Sequence, residues 1–77
     1  MACRVGITTD PEKRKRDWER EHPSLRNWRI LASGLTKKEA QNLETRLAKE
    51  QGCKNHPGGR NTDDPTKPWS VYRFEYD

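Results

Sequence analysis

A long apolar run is missing from this sequence, and cysteines are scarce. Only 29% of its 77 residues are hydrophobic, while 36% are charged. No segment approaches the roughly 20 apolar residues that cross a bilayer, and the opening Met1-Ala2-Cys3-Arg4 does not resemble a secretory signal peptide. Two cysteines, Cys3 and Cys53, are too few for a secreted disulfide scaffold and suit a reducing compartment. We therefore expect a cytoplasmic protein without membrane contact, folded as one domain over residues 1–77.

Positive charge is concentrated in the first half of the chain. Residues 1–38 hold ten Lys/Arg against five Asp/Glu, whereas residues 39–77 hold six against seven. Such an excess indicates a phosphate-bearing partner, and we expect nucleic acid, DNA in particular. The alternative is an ordinary solvated helix, because acidic residues alternate with the basic ones as i, i+4 partners. The candidate contacts are Lys13, Lys15, Arg16, Arg20, Arg26 and Arg29.

Apolar periodicity and turn residues predict five elements in the order βαβαβ. Strands are indicated by alternation of apolar and polar residues, and helices by polar caps followed by charged or amphipathic segments. The elements are strand 3–8, helix 11–22, strand 28–33, helix 36–51 and strand 69–76, with a loop over 54–67. The chain therefore predicts an α+β fold, with a three-stranded sheet on which both helices pack.

Glu44 stands out because it lies on the apolar face of the second helix. Ala40 precedes it by four residues and Ala48 follows it by four, so all three point the same way. A carboxylate beside a core costs several kcal/mol unless it is paired, protonated or bound to a cation. Glu44 is therefore a candidate metal ligand or acid–base group. The alternative is a glutamate at the edge of the face, paired with a lysine or arginine of the same helix.

Three motifs together resemble the GIY-YIG nuclease domain. They are Val5-Gly6-Ile7-Thr8, Arg14 eight residues after that glycine, and Ala40-Gln41-Asn42-Leu43-Glu44. The family has a strand ending in Y-[IV]-G, a helix with an arginine at that distance, a third strand, and a helix carrying A-x-x-x-E. The match covers residues 4–48. The resemblance implies that Arg14 contacts the scissile phosphate and that Glu44 holds one divalent metal ion.

Two departures from the family pattern concern its tyrosines. The G-I-Y strand has no room before Cys3, but Ser70-Val71-Tyr72 resembles it. We therefore expect a circularly permuted domain, in which the last strand pairs antiparallel with residues 3–8 and Tyr72 replaces the first tyrosine. At the second tyrosine the chain has Arg4. An arginine can hold a phosphate, but it cannot act as a general base near neutral pH.

The chemistry of phosphodiester hydrolysis gives each candidate a role. Glu44 could hold Mg²⁺ or Mn²⁺ through one carboxylate, with water and phosphate completing the shell. Arg14 would bind the phosphate bidentately, and Arg4 could add a second cation. Tyr72 would position water, or deprotonate it if its pKa were lowered, and His22 is a second base candidate. The alternatives are core packing for Tyr72 and an ordinary helix C-terminal position for His22.

Two functions are consistent with these residues. The first is a metal-dependent endonuclease, favoured by Arg14 and Glu44. The second is a catalytically degenerate relative that acts as a nucleic-acid or protein-interaction module, favoured by Arg4. In either case we expect a protein partner that supplies specificity, because the domain is small.

A zinc site is a separate alternative. Cys53 and His56 have the spacing of a zinc half-site, which Cys3 and His22 could complete.

Overall fold

The computed structural model describes residues 2–55 and 67–77, and it confirms the α+β class. The elements in chain order are β1 (Ala2–Thr8), α1 (Pro11–Glu21), β2 (Arg26–Leu35), α2 (Lys37–Gln51), β3 (Lys54–Asn55) and β4 (Trp69–Tyr76). Neither described helix is long and apolar enough to cross a lipid bilayer.

The sheet has four strands in the order β2-β4-β1-β3, instead of the three expected. The additional strand is β3, which pairs parallel to β1 by placing Lys54 and Asn55 beside Arg4 and Val5. These two residues were assigned to the loop predicted over 54–67, of which residues 56–66 lie outside the described part of the chain. The loop prediction was therefore wrong at its start, because a two-residue strand is too short to show alternation.

The last strand lies in the centre of the sheet. It pairs antiparallel with β1, from Ala2 opposite Tyr76 to Thr8 opposite Ser70, and antiparallel with β2 on its other side. The predicted pairing of the C-terminal strand with residues 3–8 is confirmed.

Local capping explains where the helices begin and end. The side chain of Asp10 accepts a backbone hydrogen bond from the first turn of α1, where Pro11 occupies a position that needs no N–H donor. In α2 the Thr36 hydroxyl accepts from the Glu39 N–H at 3.2 Å, and the Glu39 carboxylate accepts from the Thr36 N–H at 3.0 Å. The sequence Thr36-Lys37-Lys38-Glu39 has the residue types and the spacing of such a capping box. The helix ends at Gly52, whose φ of 67° favours glycine.

The two helices cover opposite faces of the sheet. Successive side chains of a strand alternate between its faces, so β1 and β4 each contribute to two separate clusters. The α2 side contains Val5, Ile7, Val71, Trp69, Ala40 and Ala48. The α1 side is aromatic and contains Tyr72, Phe74, Tyr76, Trp18 and Trp28.

Cys3 and Cys53 form a disulfide, with a Cα–Cα distance of 4.8 Å. The bond joins β1 to the segment that follows α2. The sequence led us to expect cysteines suited to a reducing compartment, and it did not predict this bridge, because two cysteines 50 residues apart carry no spacing signal for one. A disulfide leaves no thiolate for a metal, so these cysteines do not form the alternative zinc site, and its His56 lies outside the described residues.

Reduction should destabilise the fold. The bridge closes a loop of 50 residues, for which the loss of chain entropy in the unfolded state stabilises by about 4 kcal/mol. We therefore expect reductant to lower Tm by on the order of 20 °C in a domain of this size. Thermal unfolding of the wild type and of a Cys3→Ala/Cys53→Ala variant, each with and without reductant, measures this. The variant should not respond to reductant, and an unchanged wild-type Tm would contradict the prediction.

Candidate functional site

Tyr72 lies at the centre of the candidate site. It pairs with Gly6 across the β1–β4 ladder and is only 3% exposed. A Cβ atom at Gly6 would overlap the Tyr72 hydroxyl, so only glycine fits at that position. The hydroxyl accepts a hydrogen bond from the Trp18 indole N–H at 2.8 Å, and the phenol ring stacks on Trp28 with centroids 4.7 Å apart. Side chains from α1 and β2 therefore hold Tyr72 against β1.

Two arginines lie within electrostatic range of the Tyr72 hydroxyl. The guanidinium of Arg4 lies over the Trp18 ring, 4.7 Å from its centroid. The Arg4 Nε is buried and has no hydrogen-bond partner within the described residues. Arg14, on α1, acts on Tyr72 electrostatically, as does Arg4. Arg4 and Arg14 are thus within electrostatic range of Tyr72, and these are three of the four residues predicted as catalytic.

The protonation state of Tyr72 limits what it can do. Burial raises the pKa of Tyr72, and this effect outweighs the Trp18 hydrogen bond and the arginine charges, which lower it. This direction is opposite to the one that deprotonation of water would require. The phenol therefore stays protonated near neutral pH. Because its oxygen accepts from Trp18, the phenol acts as an acceptor in that bond and keeps its own proton for another acceptor.

Glu44 is buried, as its position between Ala40 and Ala48 predicted. It is 1% exposed, and neither carboxylate oxygen has a hydrogen-bond partner in the described structure. The alternative of a paired glutamate at the edge of the helix face is therefore wrong. Burial raises the pKa of Glu44 to about 7.

Glu44 approaches the site from the α2 side of the sheet, whereas Tyr72 belongs to the cluster on the α1 side. Its negative charge still raises the pKa of Tyr72, so the two groups are within electrostatic range of each other. The structure therefore does not bring Arg14, Glu44 and Tyr72 into one cleft, because β1 and β4 lie between Glu44 and the other two.

His22 lies apart from this group. Its ring is 4.2 Å from that of Tyr76 and 5.7 Å from that of Trp18, at the C-terminal end of α1. Tyr76 is four residues beyond Tyr72 along β4, so His22 lies toward the other end of the aromatic cluster. The structure does not bring this predicted base to Tyr72 or Arg14.

Three of the predicted nucleic-acid contacts form an exposed stripe on α1. Lys13, Arg16 and Arg20 recur at i, i+3 and i+7 and are all exposed, so they share the side of the helix that faces away from the sheet. We call these three residues the outer stripe. Their outward position leaves them available to a phosphate backbone.

The other three predicted contacts lie elsewhere. Lys15 lines a groove between α1 and β2. Arg26 is ion-paired with Asp77 at 3.0 Å. Arg29 lies opposite Arg73, on the face covered by α2. The six basic residues therefore do not form a single surface, because a sheet separates the outer stripe from Arg29.

Trp18 is the residue of the site whose role the sequence did not indicate. Its place one turn after Arg14 puts both residues on the same face of α1, but this spacing does not identify a partner for the indole. The hydrogen bond to Tyr72 spans 54 positions of the chain. Packing of α1 on the sheet determines this contact, and no local pattern encodes it.

A divalent ion would have one protein ligand in this site. The described residues contain no group of three or more His, Cys, Asp or Glu side chains that could hold a metal. The unpartnered Glu44 carboxylate is nevertheless the kind of group that such an ion satisfies. Mg²⁺ accepts a single carboxylate when water and phosphate complete its shell, so Glu44 fits an ion of that type.

Comparisons with protein families, with curated proteins and with solved structures find no significant match to this chain. Family membership is therefore not shown, and the GIY-YIG resemblance depends on the sequence motifs alone.

The Glu44 carboxyl predicts a pH-dependent stability. Its folded pKa of about 7 lies above the ordinary value of 4.5. The contribution of the Glu44 carboxyl to the free energy of unfolding is therefore fully present below about pH 4.5 and is lost as pH rises through about 7. The loss amounts to roughly 3 kcal/mol. Glu44→Gln cannot ionise, so it should gain stability relative to the wild type between about pH 5 and about pH 8. Urea unfolding at both pH values measures the difference.

Glu50→Gln is the matched control for this experiment, because Glu50 is exposed on the same helix. The difference in unfolding free energy between Glu50→Gln and the wild type should not change with pH. If the difference between Glu44→Gln and the wild type is equally independent of pH, the Glu44 carboxyl is not desolvated.

Proposed function

We propose that this chain is a nucleic-acid-binding domain of GIY-YIG type with DNA as its partner, and that it hydrolyses phosphodiester bonds with Mg²⁺ or Mn²⁺ at Glu44. The observation that carries the proposal is the buried Glu44 carboxylate, whose oxygens have no partner among the described residues. An uncompensated buried charge costs several kcal/mol. A bound cation offsets that cost, and the arginines near Tyr72 would hold a phosphate on the other face of the sheet.

Each residue of the site would have a distinct task. Arg4 and Arg14 would bind the phosphoryl oxygens, since guanidinium groups match phosphate geometry. Tyr72 would donate a hydrogen bond from its neutral phenol, and Trp18 would hold that phenol in place through the 2.8 Å hydrogen bond. A divalent ion, when bound, supplies stabilisation of the charge that develops on the phosphate.

A catalytically degenerate binding module is the second candidate, and specific observations favour it. Arg4 stands where the family has a tyrosine, and burial raises the pKa of Tyr72. A Glu44 with a pKa of about 7 is partly neutral near that pH and then needs no cation. At 1% exposure, the carboxylate is also reached by an ion only if the structure opens.

The partner and the compartment belong to the same proposal. A protein partner would supply the specificity that so small a domain lacks. The proposed compartment is the cytoplasm, where a nucleic-acid ligand is present and where thiol reductants act on disulfides. In that compartment the Cys3–Cys53 bond would be exposed to reduction. A bond that is found intact in cell extracts prepared with a thiol-blocking reagent would contradict a cytoplasmic location, and a reduced pair of cysteines would support it.

Substitution of Glu44 separates the two functions. If Glu44 holds a metal, Mg²⁺ or Mn²⁺ should raise the wild-type Tm, since a ligand at ten times its Kd stabilises by about 1.4 kcal/mol. Glu44→Gln should abolish that rise and all DNA cleavage, whereas Glu50→Gln should retain both. In a degenerate module, neither protein responds to metal or cuts DNA, and Glu44→Gln melts higher than the wild type even in the presence of Mg²⁺. That second result would reject the nuclease and leave the binding module.

Charge reversal on the outer stripe tests nucleic-acid binding. Affinity for duplex DNA should fall steeply with salt, because each neutralised phosphate releases counterions. The variant Lys13→Glu/Arg16→Glu/Arg20→Glu should bind more weakly and reduce the salt slope by about 0.9 for each phosphate that is no longer neutralised. Lys49→Glu, an exposed change on α2, should have little effect. Binding that ignores ionic strength, or none at low salt, would indicate a protein partner instead.

A further inference from the structure

A groove lies beside the Tyr72 site, between the first turn of α1 and β2. Its volume is about 680 Å³, which is within the range of small-molecule sites. Trp28 and Ile30 form its apolar wall, Lys15 and Lys67 contribute ammonium groups, and Asp10 and Glu12 contribute carboxylates. The groove therefore combines a flat apolar surface with both kinds of charge.

The groove is continuous with the site already described. Ile30 lies opposite Tyr72 in the β2–β4 ladder, and Trp28 stacks on the Tyr72 ring with an interplanar angle of 17°. Gly6, Tyr72 and Ile30 thus form one row across three adjacent strands, which are about 4.8 Å apart. A nucleotide whose phosphate lies near Arg4 and Arg14 has its base within reach of Ile30.

From this geometry we infer that the groove receives a single unstacked nucleobase of the DNA bound at Arg4, Arg14 and Tyr72. The inference rests on the proposed function and specifies its substrate as DNA with an unpaired nucleotide. Stacking on aromatic and apolar side chains is the usual way in which proteins hold an unpaired base.

Exposure and charge both favour this occupant. Ile30 is 44% exposed, although it lies beside the aromatic cluster, so it offers apolar surface that the described part of the chain leaves uncovered. The Asp10 and Glu12 carboxylates disfavour a phosphate inside the groove, but a carboxylate accepts well from the amino group of a base such as cytosine. Lys15 and Lys67 suit the phosphates that flank the base.

Leu31 provides a matched control on the same strand. It is the neighbour of Ile30, it is 37% exposed, and it does not line the groove. Replacement of either residue by aspartate makes the same chemical change at a similarly exposed position of β2. An effect seen with Ile30→Asp and not with Leu31→Asp therefore reports the groove and excludes a general effect of charge.

The experiment compares three DNA duplexes by fluorescence anisotropy at low salt. One is fully paired, one carries a single bulged cytidine, and one carries the same bulge without its base. We expect the wild type to bind the bulged cytidine on the order of tenfold more tightly than either other duplex. Ile30→Asp should lose this preference while binding the paired duplex within about twofold of the wild type, and Leu31→Asp should retain the preference. Thermal unfolding checks that both variants are folded.

Each other outcome overturns the inference. Equal wild-type affinity for the three duplexes would reject the base-binding groove while leaving DNA binding intact. Equal loss of the preference in both variants would place its origin outside the groove. No binding to any of the three would reject the proposed function, and the inference with it.

Discussion

The pairing of Gly6 with Tyr72 is the contact on which the rest of the site depends. Because Gly6 has no side chain, the Tyr72 phenol lies across β1, where any Cβ would overlap it. Arg4 shares the same face of β1, since it lies opposite Phe74, the next residue of β4 on that face. Trp18 belongs to the same group, because its ring lies under the Arg4 guanidinium and its indole N–H donates to the Tyr72 hydroxyl. One strand register therefore positions a phenol, a guanidinium and an indole together.

Glu44 introduces an energetic conflict on the other side of the sheet. Most of the α2 face that meets β1 is made of small apolar residues, and a carboxylate among them is desolvated without compensation from the described residues. Protonation relieves the conflict, as the pKa of about 7 indicates, and a divalent cation would also relieve it. The two proposed functions differ in which of these solutions the protein uses at neutral pH, so the same residue decides between catalysis and binding alone.

Much of the architecture was predictable because it depends on local periodicity. Alternation in residues 69–76 predicted β4, and the resemblance of Ser70-Val71-Tyr72 to the G-I-Y strand predicted its pairing with β1. The four-residue spacing to Ala40 and Ala48 placed Glu44 on the apolar helix face, where it is buried. Features set by tertiary packing were not predictable. The disulfide and the Trp18–Tyr72 hydrogen bond join residues 50 or more positions apart. The separation of the basic residues depends on which face of the sheet each element occupies, which charge counts do not reveal.

The ionisation of Glu44 in solution tests the metal-binding proposal most directly. An NMR titration of its side-chain carboxyl carbon, without metal and then with Mg²⁺, gives the pKa in both states. We expect a pKa of about 7 without metal and a value well below that once Mg²⁺ is bound, because a cation favours the carboxylate. A carboxyl that titrates near the ordinary glutamate value, or one whose pKa does not respond to Mg²⁺, would contradict the proposal that Glu44 is buried to hold a cation.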